Sequence, residues 1–435
     1  MKKFLLIIFS LYFSNFTAQE TKLVLNKIDQ NNFNIDGIIS DNEINNAKIL
    51  EIIYEVQPGL NSMPSQETVG YITYSNRYLY VGIKANRERI IAPLTTRDND
   101  ALWRGDFAGI TIDSYGDARN NIILISNPSG SQTDGIRLPG TSFGGGPNVN
   151  FNVNFDFKSS GRITDEGYEV EFLIPFSELP FPNGKKQSWK FELFTGYIDN
   201  ENIGVEVIAG SSKSSREASC QLCLLDHIIV MDDIVVDKKL DFLPYVSSNI
   251  SGSRDKYYDR INYETPELNY GIGVNLELNK NLSFEATINP DFSQVESDAT
   301  KIDINSPTAI NYPEKRPFFN RGIDAMDYQL DVFYSRSINN PSFASKIINQ
   351  GRKSRLYVLS AFDEETPYLV PTQFESFSGV GGKSFSNVIR YQNFLDSKTR
   401  IGLLASNRYY EGDAYGNLYG LDALVNFSDV WKFEF

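Results

Sequence analysis

Two neighbouring segments in which apolar and polar residues alternate constrain this chain more than any other feature. Over residues 270–279 the apolar side chains share one face and small or polar side chains share the other. Residues 282–288 repeat the pattern after a tight turn at Lys280 and Asn281. Successive side chains of a strand point to opposite faces, so a period of two predicts strands rather than an amphipathic helix. The first segment, at about ten residues, is long enough to cross a bilayer as a tilted strand.

The charge and the N-terminus restrict the partners and the destination of the chain. The formal net charge is -14, which argues against nucleic acid as a partner because phosphate binding needs a basic surface. Lys2 and Lys3 precede an apolar core over 4–13, and Ala18 ends a small-residue cleavage site, so residues 1–18 are predicted to be a signal peptide. The apolar run is too short to span a bilayer as a helix. We therefore expect an exported protein that meets a membrane, if at all, through strands.

Short strands between turn residues predict a β-sandwich over residues 19–210. Aromatic and β-branched residues fill the candidate strands, Asn, Gly and Ser fill the breaks, and no helical period of comparable strength competes. Trp189 is predicted to be a core residue on a strand. The main predicted strands are 69–75, 78–85, 107–113, 150–157, 168–174 and 189–197.

An ordered set of motifs in this region resembles the family 9 carbohydrate-binding modules. The motifs are Ile35-Asp36-Gly37, Tyr78-Leu79-Tyr80-Val81-Gly82, Trp103-Arg104-Gly105-Asp106, Ile110-Thr111-Ile112-Asp113 and the segment 167–176. The resemblance implies that a sugar is held between aromatic rings and that structural calcium is present. It places Trp103 at a clamp position with Asp106 beside it, and these two are the predicted sugar-binding residues. A rim or core position for Trp103 is an equal alternative, and no second clamp aromatic is identifiable.

Calcium is the cofactor that the resemblance implies, and three carboxylates are predicted to hold it. Asp106, Asp113 and Asp117 offer the oxygen ligands that calcium prefers. The alternative is that they are turn-forming, solvated carboxylates. No spacing of Asp and Glu marks a glycosidase pair.

Residues 211–238 are predicted to be a linker, because 211–218 is small and polar. Cys220 and Cys223 are the only cysteines of the chain, and His227 is its sole histidine. A zinc site needs four ligands, so we do not predict one. A small local disulfide or two incidental thiols are favoured over a redox pair.

The second half, 239–435, is predicted to be an antiparallel transmembrane β-barrel. Aromatic residues gather near its strand ends, and closed barrels are the β-structures that a membrane tolerates. The segments 289–296 (NPDFSQVE), 312–319 (YPEKRPFF) and 333–336 (FYSR) resemble the uncharacterised barrel domain that follows a family 9-like module in Gram-negative outer-membrane proteins. The resemblance implies an architecture and an outer-membrane location rather than a chemistry. The last candidate strand, 430–435, is cut short, so we expect a partial barrel.

A long polar loop between two membrane strands carries Glu314, Lys315 and Arg316 between prolines. A midplane Arg or Lys facing lipid costs about 2–4 kcal/mol. We therefore predict that these three residues form a plug or constriction inside the barrel, paired with one another or with strand side chains.

Three functions are compatible with these features. The leading one is an outer-membrane barrel that binds a polysaccharide or oligosaccharide, contacts outer-membrane lipid and serves polysaccharide uptake or catabolism. The second is a structural or assembly role with envelope protein partners and no sugar binding. The third is a glycoside hydrolase, or an enzyme whose Ser-His-Asp arrangement would require His227 beside Asp226, and it is the least favoured.

Overall fold

The computed structural model describes residues 20–141, 147–151, 153–199, 204–218, 220–236, 240–254, 260–290, 314, 316–326, 332–371, 376–395, 399–426 and 431–435. The predicted signal peptide, 1–18, lies outside these residues. The described chain is all-β, and its two α-helices, α1 (Asp41–Ile44) and α2 (Pro317–Asn320), are each a single turn. Short 3₁₀ turns occur at Gln30–Asn32, Asp100–Arg104, Gln221–Leu224, Ile323–Met326 and Ser335–Ser337. No helix in this part of the chain is long and apolar enough to cross a membrane.

The first half contains the strands of a two-sheet sandwich. In chain order they are β1 (Thr21–Val24), β2 (Lys48–Glu51), β3 (Tyr54–Gln57), β4 (Thr68–Tyr74), β5 (Tyr78–Asn86), β6 (Phe107–Asp113), β7 (Asn121–Ser126), β8 (Gln132–Thr141), β9 (Pro147–Asn150), β10 (Lys158–Ile163), β11 (Gly167–Pro175), β12 (Lys186–Ile198), β13 (Glu206–Gly210) and β14 (His227–Asp232).

One sheet of the sandwich has nine strands and the other has five. The larger runs β1-β14-β12-β6-β7-β8-β9, with β13 and β3 attached at β12, and the smaller runs β10-β11-β5-β4-β2. Strand β14 pairs with β12 on one side and, in parallel, with β1 on the other. The predicted linker over 211–238 is therefore wrong, because it contains a strand that lies inside the larger sheet.

The two sheets enclose one apolar core. Strand β6 sends Ala108, Ile110 and Ile112 into it, and the prediction of a strand over 107–113 is confirmed. Trp189 is fully buried between Phe176 and Phe181, with ring centroids 5.7 and 5.2 Å away. Burying a large apolar side chain stabilises a fold by about 1.5–3 kcal/mol. The core position predicted for Trp189 is thus confirmed.

The strand predicted over 150–157 is wrong. Strand β9 ends at Asn150, and among the described residues the next strand is β10. Between them the Phe155 N–H donates to the carboxylate of Asp134 (2.5 Å), and the Gln132 side chain donates to the Phe157 carbonyl (3.3 Å). Side chains thus satisfy backbone groups that a neighbouring strand would otherwise have to pair.

The second half forms a long antiparallel sheet in the order β15-β18-β19-β20-β21-β24-β25-β26-β27, with two separate hairpins, β16-β17 and β22-β23. Within the described residues the first and last strands of this path each have one neighbour, so the sheet is open. Its strands are β15 (Leu240–Asn249), β16 (Gly252–Ser253), β17 (Asn262–Tyr263), β18 (Glu267–Asn279), β19 (Leu282–Ile288), β20 (Pro341–Gln350), β21 (Ser354–Asp363), β22 (Pro367–Pro371), β23 (Ser376–Val380), β24 (Ser384–Phe394), β25 (Thr399–Tyr410), β26 (Tyr415–Asn426) and β27 (Lys432–Glu434).

The two faces of this sheet have opposite characters. Its outer face exposes apolar side chains to solvent, among them Phe242, Tyr270, Ile288, Ile347, Phe362, Ile389, Tyr391, Ile401, Leu403, Tyr409, Tyr419 and Leu421. Its inner face buries charged side chains, among them Glu285, Lys346, Arg355, Asp363, Arg390 and Asp422. A water-soluble sheet with one solvated face shows the reverse distribution, with polar residues outward.

Two of the inner charges form a pair that spans a strand. The guanidinium of Arg390 on β24 donates to both carboxylate oxygens of Asp422 on β26, with 2.8 Å between Nη2 and Oδ2. The pair passes over Gly402 of the intervening β25, where a Cβ would collide with both partners. The absence of a side chain at Gly402 therefore permits the contact.

The ends of the strands lie along two opposite edges of the sheet, and these two edges differ in the lengths of their connections. At one edge, called here the short-turn edge, the connections are 280–281, 351–353, 395–398 and 427–431. At the other, the long-loop edge, they are 250–266, 289–340, 364–383 and 411–414. The parts 316–326 and 332–340 of the long connection lie against the inner face, since Phe319, Ala325 and Ile338 pack in one cluster with inner-face residues such as Tyr357 and Leu359.

Candidate functional site

A cleft of about 520 Å³ lies on the outer face of the nine-stranded sheet of the sandwich. The alternation that sends Ile110 and Ile112 into the core turns Phe107 and Thr111 of the same strand toward the cleft. Strands β6, β7, β8, β12 and β13 all contribute side chains. Ligand-binding clefts in proteins measure about 300–1,000 Å³, so this one has room for a small molecule.

One end of the cleft is aromatic. Trp103 is half-buried on the 3₁₀ turn Asp100–Arg104, which begins where the Asn99 side chain accepts the Ala101 N–H (2.9 Å). Its ring meets Phe107 and Phe151 edge-on, with centroids 5.2 and 5.6 Å away. The predicted sugar-binding residue Trp103 therefore lines the cleft, and Phe151 is the aromatic residue placed next to it.

The other end of the cleft is polar. Asn121 is 1% exposed, and among the residues that the structure describes neither its amide nitrogen nor its amide oxygen has a hydrogen-bond partner. Buried polar groups without partners are rare because each loses its bonds to water. Asn121 lines the cleft together with Arg137 and Glu192, which are both half-buried. These three side chains offer donors and acceptors to a ligand.

Burial controls the protonation of Glu192. It raises the pKa of this carboxyl to about 7, against the opposing effects of Arg137 and of the hydrogen bond from the Ser212 N–H. Burial likewise lowers the pKa of the Arg137 guanidinium, and Glu192 counteracts that change. The pair thus places an acid that titrates near neutrality beside a cation.

A disulfide shapes the rim of the cleft. Cys220 and Cys223 form a disulfide, with 2.04 Å between the sulfur atoms. Of the alternatives predicted for these two cysteines, the structure therefore contains the small local disulfide. The 3₁₀ turn Gln221–Leu224, which begins directly after Cys220, contributes Gln221 and Leu224 to the lining. Gln221 also donates to the Ser215 carbonyl (2.7 Å), which ties the turn to the preceding loop.

Asp106, the second predicted sugar-binding residue, is not among the residues that line the cleft. Its side chain is 1% exposed and accepts the Ile91 N–H at 2.7 Å. The guanidinium of Arg87 lies 3.3 Å away and stacks over Tyr197, 4.4 Å from the ring centroid. Asp106 is thus the partner of a buried cation.

The three predicted calcium ligands do not meet at one point. Asp106 precedes β6 and Asp113 ends it, so they are about 20 Å apart at the rise of a strand. Asp113 accepts the backbone N–H groups of Gly116 (2.8 Å) and Ala118 (2.7 Å), and Asp117 pairs with Arg119 at 2.8 Å. In the described part of the chain no group of three or more His, Cys, Asp or Glu side chains is placed to hold a metal. The residues present therefore do not fit the predicted site, and the turn-forming alternative describes Asp113.

The predicted plug residues lie on the inner face of the second sheet as far as they are described. Glu314 and Arg316 pair with each other (2.7 Å), and Arg316 also donates to the carbonyls of Ile338 (2.7 Å) and Ser335 (3.0 Å). Arg316 is buried. Lys315 lies outside the described residues. The pairing of Glu314 with Arg316 is as predicted, while a role in closing a lumen stays a prediction.

The polar residues of the cleft were missed in the sequence. Asn121 opens a run of aliphatic residues, and Glu192 lies between Phe191 and Leu193 on β12. A charged residue flanked by core residues on a strand indicates only that it lies on the outward face, so the sequence could place Glu192 on that face but not in a site. Arg137 carries no comparable signal.

Comparison with known proteins gives partial matches. Residues 237–356 match a family described as "Domain of unknown function (DUF5916)". Among curated proteins none matches the chain.

Three solved structures are similar to about half of the chain. A family 9 carbohydrate-binding module from Caldicellulosiruptor kristjanssonii in complex with cellotriose is 16% identical, with a TM-score of 0.34, over 50% of this chain and 98% of the module. The same type of module with glucose is 15% identical, with a TM-score of 0.34, over 48% and 94%. A putative carbohydrate-binding protein from Bacteroides uniformis is 11% identical, with a TM-score of 0.38, over 49% and 99%.

Proposed function

We propose that this protein binds a saccharide in the cleft of its sandwich and that its second sheet belongs to an outer-membrane β-barrel, so that binding serves polysaccharide uptake or catabolism. The observation that carries the first half is Asn121, a buried amide that has no hydrogen-bond partner among the described residues and that lines the same cleft as Trp103. Amide donors and acceptor in that position suit hydroxyl groups of a ligand.

The two ends of the cleft match the two kinds of surface that a sugar presents. The C–H face of a pyranose is apolar and packs on aromatic rings such as Trp103 and Phe151. Its hydroxyl groups need donors and acceptors, which Asn121, Arg137 and Glu192 supply. A ligand that spans both ends would bury apolar surface and satisfy the polar side chains together.

The membrane part of the proposal rests on the two faces of the second sheet. Exposed apolar side chains on one face and buried charges on the other are the distribution expected when lipid surrounds the sheet and polar groups face inward. Strands β24, β25 and β26 have the length needed to cross a bilayer at a tilt. Outer-membrane lipid is thus the partner proposed for the outer face.

Saccharide binding is tested by isothermal titration calorimetry of the full chain in detergent. Cellotriose and glucose, the ligands named for two of the similar structures, are the first probes, followed by a panel of neutral and acidic oligosaccharides. Asn121→Ala removes one or two hydrogen bonds to the ligand, each worth about 1 kcal/mol, so we expect affinity to fall about tenfold. Trp103→Ala should reduce it at least as much, since buried tryptophans dominate binding sites.

The matched control for Trp103→Ala is Tyr71→Ala, which removes a half-buried aromatic ring from strand β4 of the other sheet. It should leave affinity unchanged. A chain that binds none of the saccharides, or binds one equally well after both cleft substitutions, would refute the proposed site. Location is tested separately: the full chain should remain with the outer-membrane fraction after an alkaline wash.

A further inference from the structure

The sandwich docks on the second sheet through the loop between β6 and β7. The hydroxyl of Tyr115 donates to the Gln350 carbonyl at 2.6 Å. Arg119 donates to the Gly351 carbonyl at 2.9 Å, and its guanidinium carbon lies 3.4 Å from the centroid of the Phe394 ring. Both residues therefore attach the sandwich to the ends and turns of strands β20 and β24.

Two further contacts join the same regions. Lys280, in the turn between β18 and β19, donates to the Ser177 carbonyl at 3.1 Å. Asn120 donates to the Asp324 carboxylate at 2.7 Å, and Asp324 pairs in turn with Arg355 at the start of β21 (3.3 Å). The docking surface thus also reaches the segment that lines the inner face of the sheet.

Two of the three predicted calcium ligands, Asp113 and Asp117, build this docking loop. Asp113 holds the turn by accepting three backbone N–H groups, those of Tyr115, Gly116 and Ala118. Gly116 and Ala118 have positive φ values of 66° and 55°, which the tight turn requires. Asp117 orients Arg119 through their ion pair. The loop therefore presents Tyr115 and Arg119 in fixed positions.

The partners of Tyr115, Arg119 and Ser177 lie at the short-turn edge, in the turns 280–281 and 351–353 or at strand ends beside them. Asp324, the partner of Asn120, lies beside the same edge, because Gln350 at the end of β20 donates to its carboxylate at 3.3 Å. Outer-membrane barrels place their short turns on the periplasmic side and their longer loops outside the cell. Resting on the proposed membrane location, we propose that the sandwich and its cleft lie in the periplasm, docked against the periplasmic rim. The cleft then meets a saccharide after it has crossed the membrane.

The inference is tested by cysteine labelling of the full chain in intact Gram-negative cells. Met63→Cys places a thiol on the sandwich at a position that is 81% exposed. Ala414→Cys places one at the long-loop edge, in an exposed position of the connection 411–414. The parent chain is the blank, because Cys220 and Cys223 are bonded to each other. A membrane-impermeant maleimide should label Ala414→Cys in intact cells and Met63→Cys only after the outer membrane is permeabilised.

The outcomes separate this inference from the proposed location. Labelling of Met63→Cys in intact cells, with the chain in the outer-membrane fraction, overturns the periplasmic placement alone. Protection of Ala414→Cys in a membrane-bound chain also overturns it, because the long-loop edge would then not face outward. Recovery of both variants in the soluble fraction overturns the membrane location itself.

Discussion

Replacing Glu192 by glutamine should change stability and ligand binding in opposite directions. The carboxyl lies at the polar end of the cleft, and burial raises its pKa from 4.5 to about 7. Between those two pH values the folded state binds more protons than the unfolded state, so stability falls as pH rises. The contribution of Glu192 is therefore fully present below pH 4.5 and lost above about pH 7.

The size of the effect follows from the same pKa. One pH unit between the two values corresponds to about 1.4 kcal/mol, which gives an upper bound of about 3 kcal/mol above pH 7. Glutamine keeps the acceptor for the Ser212 N–H and removes the ionisation. We expect Glu192→Gln to be more stable than the parent at pH 8 by up to about 3 kcal/mol and equal to it near pH 4.5.

The measurement is urea unfolding of residues 20–236, which contain their own hydrophobic core, at a series of pH values. Other buried carboxyls such as Asp134 titrate in both proteins and cancel in the difference. Glu51→Gln, an exposed change on β2, is the control and should not alter the pH slope. The same Glu192→Gln variant should bind saccharide more weakly at pH 8, where the parent presents a carboxylate. Identical pH slopes for variant and parent would refute the reasoning.

Two other predictions concern the residues that hold the architecture. Asp106→Asn leaves the buried Arg87 without its counterion, so it should destabilise the sandwich by about 3–5 kcal/mol in urea unfolding. The saccharide affinity of the folded variant should be unchanged. Lost affinity at unchanged stability would restore Asp106 as a sugar ligand. Arg119→Ala removes the contacts to Gly351 and Phe394, so limited proteolysis should cut faster between the two halves. Arg162→Ala, an exposed change on β10, is its control, and equal cleavage rates would argue that the docking loop does not hold the halves together.

The strands of this protein were largely predictable because their information is local. The alternation over 270–288 fixed two strands and the turn at Lys280 and Asn281, and the structure has β18, β19 and that turn. The segment 150–157 failed because the bond from Phe155 to Asp134 is a tertiary contact. Similarly, small polar residues predicted a linker over 211–238, while the pairing of β14 with β1 joins distant parts of the chain.

The candidate site was predictable only at Trp103, whose neighbours in sequence carry a motif. Asn121, Arg137 and Glu192 come from three different strands, and only the sheet order brings them together. The sequence predicts sugar binding for Asp106 because it lies beside Trp103 in the motif, and calcium binding because it offers carboxylate oxygens. Its true partner, Arg87, is distant in sequence and has no motif of its own.

The pair that crosses Gly402 has a consequence for how the sheet assembles. A strand that slips by one residue exchanges its two faces. Here such a slip would turn the charged side chains of the inner face toward the apolar outer face. Arg390 finds Asp422 only when β24, β25 and β26 are all aligned as observed, because Gly402 is where the intervening strand leaves room. The contact between Arg390 and Asp422 therefore requires the correct register of all three strands. A misaligned strand would leave two buried charges unpaired.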